Sequence, residues 1–161
     1  MDNIRIGYGY DIHPLVPAKE GLWLGGVHIP YHKKVQAHSD GDVLLHSICD
    51  ALLGAAALGD IGKHFSDSDE RWRDKASTLF INHTVHLIRK NGFRIINLDT
   101  TILLQEPHLE KYKTSIVDNL MGMLQLETIN VKATRGEGLD AVGKGEAIAA
   151  HAICLLQKGT N

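Results

Sequence analysis

IRIGYGYDIH, residues 4–13, decides the fold, because Ile4, Ile6, Tyr8, Tyr10 and Ile12 alternate with Arg5, Gly7, Gly9, Asp11 and His13. A period of two predicts a β-strand whose successive side chains point to opposite faces. Asp11 and His13 then share one face.

Outward from that strand, residues 22–31 hold Gly25-Gly26 between short apolar stretches and read as a hairpin that Pro30 closes, with polar loop after it. His38-Ser39-Asp40-Gly41-Asp42 supplies Ser and Asp as caps, with Ser39 or Asp40 in that role. Val43, Leu44, Ile48, Ala51, Leu52 and Ala55 then recur at helical spacing, predicting a helix that runs to Leu58. Residues 59–69 are turn-rich. A second amphipathic helix is expected over 76–90, ended by Asn91-Gly92. An alternating strand over 95–104 is broken by Pro107, and a third helix follows over 110–124. A last strand over 129–134 leads into a glycine-rich turn and a closing helix over 146–157. This order predicts an α/β (α+β) chain with a single mixed β-sheet and helices packed mainly on one face. The bare face is left for a partner subunit.

At 161 residues and 43% hydrophobic, the chain fits one domain over 1–161 with a sizeable core. A net charge of −2 with no dominant Lys/Arg run excludes nucleic acid and an anionic membrane as partners. Cys49 and Cys154 sit in apolar runs and are too few for a disulfide framework or a thiolate zinc site, which fits a reducing cytoplasm. No signal-like pattern and no run of about 18 apolar residues is present, so a soluble, cytoplasmic protein is expected.

The chemistry concentrates in three places. Asp11 and His13 on a strand, with His46 on a helix, make a two-imidazole, one-carboxylate set suited to zinc, with the fourth tetrahedral position open. Asp42 and Asp50 stand four residues either side of His46, as orienting carboxylates or merely as a solvated acidic face. His38-Ser39 precedes a helix N-terminus, where free N–H groups favour a phosphate, although a simple cap has the same appearance. Residues 132–138 gather cations, a hydroxyl and a carboxylate that could meet phosphate and a divalent ion together, or form an ordinary polar turn. Two motifs are decoys. Ser39-Asp40-Gly41-Asp42 lacks the rest of a calcium loop, and Gly138-x4-Gly143-Lys144-Gly145 lacks the Ser/Thr of a P-loop.

Three strings together, GYGYDIH (7–13), AHSDGDVLLHSICDALLGAAALGDIGKHF (37–65) and VKAT with GEGLDAVGKGEAIAAHA (131–134 and 136–152), carry a resemblance from Arg5 nearly to the end. The chain resembles the family of 2-C-methyl-D-erythritol 2,4-cyclodiphosphate synthases. The resemblance implies a homotrimer with zinc sites near subunit clefts. It also implies conversion of 4-diphosphocytidyl-2-C-methyl-D-erythritol 2-phosphate to the cyclic diphosphate and CMP. By the same resemblance Asp11, His13 and His46 hold zinc, and Glu137 holds magnesium or manganese. His38, with Ser39 beside it, stabilises the transition state, and Thr134 contacts the diphosphate. Asp60, Ile61 and Gly62 hold the methylerythritol part, beneath a lid of Phe65, Ser66, Asp67, Ser68 and Asp69. The loop of Leu104, Gln105, Glu106, Pro107, His108, Leu109 and Glu110 takes the cytosine. Arg135, between Thr134 and Gly136, stands where the family places a catalytic hydroxyl, and His108 replaces a lysine. Ala141 and Lys144 stand where an aromatic residue and an arginine often line a central trimer cavity. Two rival readings remain at this level: a zinc phosphohydrolase acting through a metal-bound water, and a ligand-binding trimer without turnover.

Overall fold

The computed structural model describes residues 4–66, 69, 71–72 and 75–159. Its centre is a five-stranded sheet. Strand β1 (Ile4–Pro17) pairs antiparallel with β4 (Lys33–Val35) on one side and with β7 (Ala147–Lys158) on the other. β7 pairs antiparallel with β5 (Phe93–Leu103), and β5 pairs parallel with β6 (Asn130–Thr134), giving the order β4-β1-β7-β5-β6. One parallel pair among antiparallel ones makes the sheet mixed, as expected. Strands β2 (Leu22–Leu24) and β3 (Val27–Ile29) form the separate hairpin that Gly25-Gly26 predicted.

Helix α1 (Val43–Ala55) lies directly on β1 and β7. It is apolar on almost every side, as a helix enclosed by a sheet and other helices should be. Leu44, Ile48 and Leu52 are fully buried, each contributing about 1.5–3 kcal/mol of transfer free energy. The N-terminus is capped by Asp42, not by Ser39 or Asp40. Its carboxylate accepts from Leu45 N (3.0 Å) and, across the core, from Gly25 N (3.0 Å) and Gly26 N (2.7 Å), so one side chain ties α1 to the hairpin turn. After a four-residue helix α2 (Ile61–His64) comes α3 (Ser77–Lys90), which packs on α1 and β5. A 3-10 turn, Glu110–Tyr112, leads into α4 (Lys113–Leu124), which rests on α3 and β6.

The two faces of β1 reverse the usual arrangement. Gly7 and Gly9 are buried against α1, with Asp11 and His13 half-buried farther along that face, while the apolar alternates face away from α1. Ile6 is 73% exposed, Tyr8 59% and, paired with Tyr8 on β7, Ile153 50%. The single-turn helix α5 (Asp140–Gly143) touches this bare face, where it borders a 290 Å³ hollow with Tyr8, Tyr10 and His151.

The closing helix expected over 146–157 is instead β7, the strand at the sheet's centre. Ile148, Ala150, Ala152, Cys154 and Leu156 alternate into the core, but Ala147 and Ala149 are buried on the opposite side, so both faces are apolar near its start. A run rich in helix-favouring alanine and buried on both sides carries no visible period of two. The polar loop after residue 31 likewise contains β4, which extends the sheet beside Leu15–Pro17.

Candidate active site

Asp11 and His13 reach the site because they continue the glycine face of β1, two and four residues beyond Gly9. The glycines let α1 settle against the strand backbone, and this brings His46, one helical turn after Asp42, beside Asp11. Oδ2 of Asp11 is 3.1 Å from Nδ1 of His46 and 3.3 Å from Nε2 of His13. One ligand atom from each of the three residues lies within 4.8 Å of the others, and these residues could hold a metal ion. The donor set suits a borderline cation such as zinc: two imidazole nitrogens and a carboxylate oxygen. Burial pushes the Asp11 carboxyl up, but hydrogen bonds from His13 and His46 and their nearby charge outweigh it and hold the group well below its ordinary 3.8. Asp11 is therefore a carboxylate at neutral pH.

The orienting role offered to Asp42 and Asp50 is not what the structure shows. Asp42 is occupied as the buried cap, and Asp50 Oδ1 accepts from Ile61 N at 2.8 Å, fastening the start of α2 to α1. The partner of His46 Nε2 is Ser77 Oγ, at 2.8 Å, on the first residue of α3. Sequence reading missed Ser77, since a serine that opens a helix thirty-one residues away carries no local mark of such a contact.

A cleft of about 580 Å³ opens from the triad. His38 and Ser39 line one wall, and Ile61, Gly62, Phe65 and Ser66 another. Asp60 caps α2 through Lys63 N (2.8 Å). Phe65 stacks on Phe80 at 4.8 Å, and Trp72 meets Phe65 edge-on at 5.0 Å, forming an aromatic floor next to His46. Asp69 pairs with Arg71 at 2.6 Å, while Asp67 and Ser68 lie outside the described residues.

A second group forms elsewhere on the chain. Leu104 N donates to Thr134 O (3.0 Å), Glu137 N donates to Gln105 Oε1 (3.0 Å), and Arg135 lies 3.5 Å from Glu106. The loop that holds Pro107, through a cis Glu106–Pro107 bond, and the turn that holds Gly136 are thus one unit. Within it His108 is exposed, Leu109 is buried, and Glu110 pairs with Lys113 (2.7 Å). Among the described residues, none of 104–110 or 134–137 lines the cleft at the triad. Ala141 borders the hollow on the bare face of the sheet, and Lys144 is exposed just beyond α5.

A "2-C-methyl-D-erythritol 2,4-cyclodiphosphate synthase" of Desulfosudis oleivorans is 48% identical over 155 residues, covering 95% of this chain and 92% of that protein. The structure of the bifunctional IspDF from Campylobacter jejuni superposes with a TM-score of 0.93 at 37% identity over 99% of this chain, which spans 43% of that larger protein. IspF of Plasmodium falciparum, solved as a CDP complex, superposes with a TM-score of 0.85 at 35% identity, covering 98% of this chain and 97% of its own. The model of the YgbB family matches residues 4–157, nearly the whole described chain, and on that match and these relatives the chain belongs to the YgbB family.

Proposed function

We propose that this chain converts 4-diphosphocytidyl-2-C-methyl-D-erythritol 2-phosphate into 2-C-methyl-D-erythritol 2,4-cyclodiphosphate and CMP, the reaction for which its relatives are named. The observation that carries this reading is the convergence of Asp11, His13 and His46 at one end of a cleft whose other walls are His38, Ser39 and Phe65.

In this reaction an oxygen of the 2-phosphate attacks the β-phosphorus of the same molecule. A new P–O bond closes the ring while the bond to the departing CMP breaks. Because nucleophile and electrophile belong to one substrate, the protein's tasks are to fold that substrate back on itself and to offset charge around the phosphorus. A zinc ion on Asp11, His13 and His46, and magnesium or manganese on Glu137, would supply positive charge against the phosphate oxygens. His38 and Ser39, ahead of α1, donate to the phosphate, and Asp60, Ile61 and Gly62 hold the methylerythritol hydroxyls. Phe65 and Ser66, on the wall of the cleft, shelter the reacting end from water. Residues 104–110 take the cytosine, chiefly through backbone groups, and Thr134 and Arg135 face the diphosphate. Arg135, which by the family resemblance stands in the place of a hydroxyl, offers a charged, forked donor there.

The triad and the cytidine loop do not share a cleft within one chain, which supports completion of each site between neighbouring copies. The bare face of β1, with Ile6, Tyr8 and Ile153 exposed, supplies an apolar surface for such contacts. We therefore assign the protein a homotrimer built on that face, with one domain over 1–161 in each copy. Cys49 and Cys154 are buried and unpaired, which agrees with a cytoplasmic setting, and no helix among the described residues is long and apolar enough to cross a membrane.

The test is incubation with the diphosphocytidyl substrate, zinc and magnesium in water enriched in oxygen-18. CMP and a cyclic product free of the label are expected. A linear, labelled product would replace cyclisation by hydrolysis, and well-folded protein that releases no CMP would overturn the assignment.

A further inference from the structure

His46 turns its two ring nitrogens to different neighbours. Nδ1 faces Asp11 Oδ2, on the side of the triad. Nε2 faces away, 2.8 Å from Ser77 Oγ and 3.4 Å from Ser39 Oγ. Ser77 is fully buried, and its hydroxyl makes a short hydrogen bond to Asp40 Oδ1, while its backbone N–H donates to Asp40 Oδ2 at 2.9 Å.

A carboxylate only accepts hydrogen bonds, so the Ser77 hydroxyl proton is committed to Asp40. The same oxygen then offers a lone pair to His46, and Nε2 must be the donor. Whatever Nδ1 carries in the metal-free chain, Nε2 keeps its proton, and Nδ1 is the nitrogen left for a cation. Asp40 and Ser77 thus form a chain of fixed direction behind the ring. We propose that Ser77 and Asp40 are positioning residues that set the protonation pattern and the angle of the His46 imidazole for metal binding. The proposal rests on the reading of Asp11, His13 and His46 as the zinc site.

The contact is built into the fold. Asp40 stands in the loop before α1, and Ser77 opens α3, where Ala76 provides no side-chain cap. Asp40 caps α3 through the Ser77 backbone N–H, a bond that survives loss of the Ser77 hydroxyl. The structural and positioning roles can therefore be separated. Outer-shell partners of metal-bound histidines are typically worth about 10- to 100-fold in metal affinity, and the effect predicted here is of that size.

The experiment measures zinc affinity by competition with a chromophoric chelator for the wild type, Ser77→Ala, Asp40→Asn, their double variant and His46→Ala. The urea midpoint of each metal-free chain is recorded alongside. Expected is a loss of about 10- to 100-fold for each single variant, and a double variant no weaker than the weaker single one, because both act through one chain of bonds. Wild-type affinity in Ser77→Ala and Asp40→Asn would overturn the proposal, as would losses that simply add. If Ser77→Ala does not fold, Asp40→Asn decides alone, since its amide oxygen still accepts from the Ser77 N–H. Failure of the wild type to bind zinc, or undiminished affinity in His46→Ala, would instead remove the triad reading itself.

Discussion

Gly9 of β1 and Ser47 of α1 meet backbone to backbone: a Cβ placed on Gly9 would lie 1.8 Å from the Ser47 carbonyl oxygen. Gly7 stands in the same relation to Ala51, also at 1.8 Å. The close approach sets the height of α1 above the sheet, and that height brings His46 within reach of Asp11.

Gly9→Ala should therefore destabilise the chain by about 3 kcal/mol or more, the upper range for overpacking, because the obstacle is backbone that a side-chain shift cannot relieve. Gly54→Ala, within α1 and with open space around it, should instead stabilise by about 0.5–1 kcal/mol through helix propensity. Urea unfolding of both variants checks the opposite signs.

Asp42→Ala removes the acceptor of three backbone N–H groups, from Gly25, Gly26 and Leu45, in a fully buried position. Each buried donor left unsatisfied costs about 1–3 kcal/mol, so a loss of about 3 kcal/mol or more is expected. Thermal unfolding would show it; a loss no larger than that of an ordinary exposed helix cap would contradict the cross-core role.

Asp11 makes the metal-free chain sensitive to acid. Its folded value lies below its ordinary 3.8, so its contacts with His13 and His46 contribute stability that is fully present above pH 3.8. That stability is lost as pH falls from there through the lower folded value. Between pH 5 and pH 3 the urea midpoint of the wild type should fall further than that of Asp11→Asn. Parallel declines would contradict the assignment.

Glu137 occupies a left-handed turn, with φ of 53°, its N–H donates to Gln105, and its side chain is exposed; in the proposed reaction that carboxylate holds the second divalent ion. Glu137→Gln should raise the magnesium concentration needed for half-maximal CMP release while leaving bound zinc unchanged. Unaltered magnesium dependence would remove the second-ion role.

Much of this was legible in the chain before its structure. The period of two at residues 4–13 placed Asp11 and His13 on one face, and helical spacing placed His46 on α1. What stayed hidden depends on contacts across the fold. β7 is apolar on both sides near its start and shows no alternation, so the central strand passed for a helix. Asp42 and Asp50 looked like neighbours of His46, but the donors that claim them come from the hairpin turn and from α2. Ser77, the actual partner, lies thirty-one residues from His46 in sequence and opens a different helix, so no local spacing marks the contact. That residues 104–110 and the triad lie apart in one chain is likewise a property of the sheet order, which puts β1 and β6 on different sides of β7.

The most direct test of the central claim is the zinc content and CMP release of dialysed His46→Ala protein, measured on one preparation beside the wild type. Near-stoichiometric zinc and turnover in the wild type, with both lost together in a variant that keeps its fold, is the predicted result. Full zinc occupancy in His46→Ala, or undiminished turnover without zinc, would contradict it.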